Sequence, residues 1–159
     1  MLEIIDGDIL AVKTKYIAHQ CNLLTVDAAG VAKAIFDAFP YADIYKERLN
    51  NKTLSKDDLL GNFILRGNGK DQRYVINMMC QKYPGKPKFL DNKIDGIVAR
   101  ENHFASCLER ISWINQLDSI AFPYGIGCNL AGGNWNHYLK MLEEFSAGVS
   151  AKVFLIRKC

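Results

Sequence analysis

The chain has 159 residues, 49% of them apolar, and a formal net charge of +3. That length fits one globular domain over residues 1–159, with room to bury a real core and none for a second full domain. The charge is too small and too mixed in sign for a dedicated nucleic-acid binder, although weak contact with a polyanion stays open.

The five cysteines, Cys21, Cys80, Cys107, Cys128 and Cys159, are odd in number and form no CxxC pair. They fit reduced thiols better than a disulfide framework or a zinc site. The opening "MLEIIDGDIL" has neither the basic start nor the long apolar run of a secretion signal, and no segment reaches the length of a membrane span. The expectation is a monomer in the reducing cytoplasm, with no membrane partner, no cofactor and no metal.

In chain order, strand-like apolar runs fall at residues 2–5, 16–21, 62–65, 74–80, 119–122 and 153–156. Helical spacing appears over 30–39, where Pro40 stops it, over a short stretch at 41–49, over 94–114 and over 134–145, with Asn134 as N-cap. Residues 50–58 and 83–92 read as surface loops. Strands alternating with helices predict an α/β fold with parallel pairs, whose ligands sit at the carboxyl ends of the strands.

Three segments at such ends carry the chemistry. "PYGIGCNLAGGNW", residues 123–135, places four glycines between a strand and a helix. There the backbone can take positive φ, bring its N–H groups close to a ligand and add the dipole of the next helix, which suits a phosphate. "NLLTVDAAGVAKAIF", residues 22–36, repeats the arrangement, and two such cradles suggest a diphosphate. Neither matches a Walker A or a dinucleotide-binding fingerprint. In "IDGDIL", Asp6 and Asp8 flank Gly7 after the first strand; an ionised carboxylate there can accept from an exocyclic amine, or simply form a turn.

Among titratable side chains, His19 in "HQCN" is either a general base near the ligand or a core histidine with one hydrogen bond. Asp27 either orients water or is a solvated loop carboxylate. Cys128 has no neighbour in sequence to activate its thiol and reads as a backbone donor. Trp135 and Tyr138 belong to an apolar stripe, and Tyr124 is a candidate ribose cover. His103 and His137 read as surface or packing residues, and Lys82, Lys86 and Lys88 as a basic loop.

Taken in order, "GDIL", "YIAHQCN" with its small-residue loop, "GVAKAIF" and "PYGIGCNLAGGNW" resemble the macrodomain family of ADP-ribose binders. "LLG" at 59–61 and "EEFS" at 143–146 are similar to its compact branch, which includes ADP-ribose-1''-phosphate phosphatases. The resemblance implies a three-layer α/β/α sandwich with a mixed, largely parallel sheet and an ADP-ribose cleft. It matches Asp8 and the Ile9 amide to adenine and Asn22 to the distal ribose. It matches Ala29, Gly30 and Val31 to the first phosphate loop. The second phosphate loop would be Gly125, Ile126, Gly127, Cys128, Asn129, Leu130 and Ala131.

The chain departs from the family where "VDAAGVA" replaces a glycine run, bringing Asp27 toward an anionic ligand, and where Asn129 replaces a glycine. At the positions of the lysine and aspartate used by related ADP-ribosyl glycohydrolases it has Gln81 and Ala131, with Lys82 adjacent, which disfavours that mechanism. The leading expectation is hydrolysis at the distal ribose of an ADP-ribose derivative or ADP-ribosylated macromolecule, with His19, Asn22 and Asp27 handling water or ribose. The alternatives are an ADP-ribose reader without turnover and, last, an RNA-associated domain.

Overall fold

The computed structural model describes residues 2–158. Six strands, β1 (Leu2–Asp6), β2 (Tyr16–Asn22), β3 (Phe63–Arg66), β4 (Tyr74–Gln81), β5 (Ser119–Pro123) and β6 (Lys152–Arg157), form one sheet in the order β1-β6-β5-β2-β4-β3. Only β3 runs antiparallel to its neighbour. The central strands β2 and β4 are apolar almost throughout because both of their faces are covered.

One face packs Ala18, Ile76, Met78 and Phe122 against Phe104, Cys107 and Ile111 of α3 (Ile97–Ser112) and Tyr138 and Leu142 of α4 (Trp135–Ala147). The other packs Ile17, Val75 and Met79 against Ile35 and Phe36 of α1 (Gly30–Ala38) and Ile44 and Tyr45 of the one-turn α2 (Ile44–Glu47). This is the three-layer α/β/α sandwich with a mixed, largely parallel sheet that the sequence leads one to expect.

Three boundaries differ. The helix expected at 41–49 is a 3-10 turn, Pro40–Ala42, followed by α2, which starts where the Asp43 carboxylate accepts from the Lys46 amide. The long helix begins at Ile97 rather than 94, because Asn92 Oδ1 accepts from the amides of Ile94 and Asp95 and holds them in a turn. The loop at 50–58 contains two 3-10 turns, Lys52–Ser55 and Asp57–Leu59, with Leu54 buried.

Since β1, β6, β5, β2 and β4 run the same way, the segments that follow β1, β2, β4 and β5 all emerge at one edge of the sheet. No helix among the described residues is long and apolar enough to cross a membrane.

Candidate functional site

At that edge lies a cavity of about 440 Å³. It brings together His19, Asn22, Asp27, Ala29, Gly30 and Val31 with Gly125, Ile126, Gly127, Cys128, Asn129, Leu130 and Ala131. Gln20, Thr25, Ala32, Tyr45, Gln81, Pro84, Gly85 and Pro123 complete the lining.

Asp8, Ile9 and Tyr124 are not part of the wall. Asp8 turns the chain after β1, its Oδ1 accepting from the Leu10 amide, and Ile9 packs on the α1-side core. Tyr124 is held away by Trp135, ring centroids 4.9 Å apart, with the Arg157 guanidinium over its ring; it does not cover the cavity.

The first loop, residues 22–30, is fixed through Asn22. The Asn22 amide donates to Tyr45 Oη at 2.8 Å, its carbonyl accepts from Arg48 Nη2 at 2.8 Å, and its Oδ1 accepts from the amides of Leu24 and Thr25 and from the Thr25 hydroxyl. Arg48 Nη1 also donates to the Thr25 carbonyl. Only Asn22 Nδ2 is left without a bond among the described residues. The loop ends at α1, whose N-cap Ala29 has no side chain able to accept and whose first turn holds no acidic residue. The amides of Gly30, Val31 and Ala32, residues that line the cavity, therefore have no acceptor among the described residues.

The second loop, residues 124–134, is a chain of turns. The amides of Ile126, Cys128, Gly132 and Gly133 donate to the carbonyls of Pro123, Gly125, Asn129 and Gly127. Those of Gly125, Gly127, Asn129, Leu130 and Ala131 have no acceptor among the described residues. Gly127 takes φ +79° with Tyr138 beneath it, where a Cβ would lie 2.5 Å from the ring. Two expectations change here. Cys128 is not a backbone donor to a ligand, since its amide closes a turn. The start of the following helix, α4, does not line the cavity, and Asn134 Oδ1 caps it by accepting from the Asn136 amide; the helix that begins at the cavity wall without a side-chain cap is α1.

The two loops meet: a Cβ on Gly30 would lie 3.0 Å from Leu130 Cδ1, so the Leu130 side chain reaches the start of α1. Behind the second loop, Arg100 of α3 donates to both oxygens of Asp95 at 3.0 and 2.7 Å and to the carbonyls of Tyr83, Gly85 and Ala131. Asp95 in turn accepts from the amides of Lys82 and Tyr83. This buried cluster ties the segment after β4 to the second loop.

His19 lies at the cavity floor but is only 1% exposed. Asn77 Nδ2 donates to the carbonyls of Ala42 and Ile64, which leaves Asn77 Oδ1 to accept from His19 Nε2 at 2.6 Å. Nδ1 then carries the lone pair, with Cys21 Sγ at 3.8 Å and the Phe36 ring edge-on. Burial lowers the His19 pKa to about 4, outweighing the Asn77 bond, so the ring is neutral at physiological pH.

Beside it, Gln81 Nε2 donates to the Tyr83 carbonyl, and this orients Gln81 Oε1 to accept from Gln20 Nε2 at 2.7 Å. Gln81 and Gln20 thus form an amide pair at the cavity wall. Burial, helped by the Glu101 carboxylate, pushes the Cys128 thiol up to about 12, which removes it as a nucleophile.

Gln20, Tyr45, Arg48, Asp95 and Arg100 were not reached by motif reading. For the two arginines a signal was present: Arg100 falls on the stripe of Phe104, Cys107 and Ile111, and Arg48 beside Ile44 and Tyr45.

A parallel α/β sandwich with a cleft between two loops at its strand ends is an architecture that known structures share. No family model and no curated protein matches the sequence. Among solved structures, the macrodomain of Mycobacterium tuberculosis DarG is similar, with TM-score 0.75 and 19% identity over 99% of this chain and 97% of that one. Thermosipho africanus DarTG in complex with ADP-ribose has TM-score 0.72 and 16% identity, over 98% of this chain and 41% of that one. A mutant Oceanobacillus iheyensis macrodomain with ADPR has TM-score 0.67 and 23% identity, over 99% and 84%. The chain has the macrodomain fold.

Proposed function

We propose that the cavity binds ADP-ribose derivatives, with the diphosphate between the two loops. One observation carries this reading: the start of α1, which no side chain caps, lines the cavity opposite a glycine loop in which the amides of Gly125, Gly127, Asn129, Leu130 and Ala131 have no acceptor among the described residues, so both sides offer N–H donors to an anion. Asp8 follows β1, three strand intervals from β2, or about 14 Å at ordinary spacing. That span supports a nucleotide lying across the strand ends, with its adenine amine donating to Asp8 beside the Ile9 amide. The distal ribose would then meet Asn22 Nδ2 and the Gln20–Gln81 pair. The ADP-ribose and ADPR held by the two similar proteins support the same reading. Calorimetric titration tests it: ADP-ribose should bind more tightly than ADP, and ADP more tightly than adenosine. Equal affinity for all three would contradict it.

A second reading, hydrolysis at the distal ribose, is favoured by Asp27, the only carboxylate among the described residues that line the cavity. Asp27 would take a proton from water, Asn22 would orient the ribose, and the loop amides would stabilise charge on the leaving oxygen. His19 would act by packing, since its burial and its bond to Asn77 close it to water. With ADP-ribose-1''-phosphate, release of inorganic phosphate that Asp27→Asn abolishes supports hydrolysis. Binding without release supports a module that holds the ligand or acts on another linkage.

A further inference from the structure

Arg48 is 2% exposed, yet no carboxylate among the described residues lies within ion-pair distance of it. Its guanidinium lies on the Tyr45 ring at 4.5 Å, donates to the Asn22 and Thr25 carbonyls, and leaves Nε buried without a partner. The carboxylate that acts on it through space, Asp43, is partly exposed and engaged in capping α2. Arginine keeps its charge under such burial, and a charge in a poorly polarisable setting acts over a longer range than one in water. Both carbonyls it holds belong to residues that line the cavity. Arg100, the other buried arginine near the site, is neutralised by Asp95.

We infer that Arg48 is the positioning residue that charges the first loop: its uncompensated guanidinium fixes Asn22 and draws the phosphate part of the ligand to that side of the cavity. The assignment rests on the proposed anion site, and it explains how a loop that carries Asp27 instead of a glycine run still attracts an anion. It also gives Tyr45 a task, since Tyr45 both stacks on the guanidinium and accepts from the Asn22 amide.

Two substitutions separate charge from mere bracing. Arg48→Gln keeps N–H donors for the carbonyls and removes the charge; Arg48→Lys keeps the charge and loses the fork. Inorganic pyrophosphate, ADP-ribose and adenosine are titrated into each folded variant and into the wild type. Arg48→Gln should bind pyrophosphate and ADP-ribose about tenfold more weakly, with adenosine unchanged, while Arg48→Lys stays within about threefold of wild type. Wild-type affinity for pyrophosphate in Arg48→Gln, or an equal loss for adenosine, would overturn the inference. Should Arg48→Gln fail to fold, Arg48→Lys decides alone: near-wild-type pyrophosphate affinity supports the charge, and a loss of tenfold or more overturns it. If pyrophosphate binding depends on Arg48 while wild type does not bind ADP-ribose, the charged loop stands and the ADP-ribose reading falls.

Discussion

The two loops that face each other across the cavity are both braced by a buried arginine, but in opposite electrical states. Behind the second loop, Arg100 is matched by Asp95, and the pair also bonds the backbone of Lys82, Tyr83, Gly85 and Ala131, in two segments. Behind the first loop, Arg48 has carbonyls and an aromatic face but no carboxylate within ion-pair distance among the described residues. A neutralised pair can hold a loop without attracting anything. An unmatched cation holds the loop and also gives the cavity a sign. The amides differ in the same sense, for the second loop offers theirs through glycine turns and the first through a helix start that nothing caps.

The sharpest way to break this contrast is Asp95→Asn, which leaves Arg100 as unmatched as Arg48. Removing one partner of a buried ion pair costs about 3 kcal/mol, to be read from the urea midpoint. Next in size is the pH dependence beneath the first loop. His19 titrates near 4 when folded and near 6.5 when unfolded, so the unfolded chain binds the extra proton between those values. Its contribution is fully present above pH 6.5 and is lost as pH falls toward 4, by up to about 1.4 kcal/mol per pH unit. His19→Asn should flatten that slope in urea unfolding series.

Smaller effects sharpen the comparison further. Gly127→Ala forces a Cβ against the Tyr138 ring at φ +79°, a strain of about 1–2 kcal/mol that should displace the second loop and weaken ADP-ribose binding in a titration. Ala29→Asp supplies the missing cap of α1, and two opposite signs are expected. Stability should rise by about 1 kcal/mol, while ADP-ribose affinity falls because a carboxylate occupies the anion's donors. Asp27→Asn should tighten ADP-ribose by about two- to threefold by removing an exposed like charge from the rim.

The layers were legible because alternating apolar runs and Pro40 mark real element boundaries, and all six strand runs became strands. The position of the two loops was legible too, since glycines and small residues between a strand run and a helical pattern mark a connection at the strand ends, and both line the cavity. Asp8 and Ile9 were less so: they follow β1 at the same edge of the sheet but three strands away from β2, outside the cavity wall, and no spacing along the chain reports the strand order. The bracing was hidden in part. Arg48 and Arg100 each interrupt an apolar helical face, which marks a buried charge, yet the sequence does not say which of them meets a carboxylate. His19 shows the limit of alternation. Its strand position led to the cavity floor, and the seal by Asn77 and Phe36 comes from residues far along the chain.

The central claim is that a diphosphate lies between the two loops, and a phosphorus NMR titration of ADP-ribose with the concentrated protein tests it most directly. Both diphosphate lines should shift or broaden in the wild type and move less in Ala29→Asp. Lines unchanged by the wild-type protein would contradict the account.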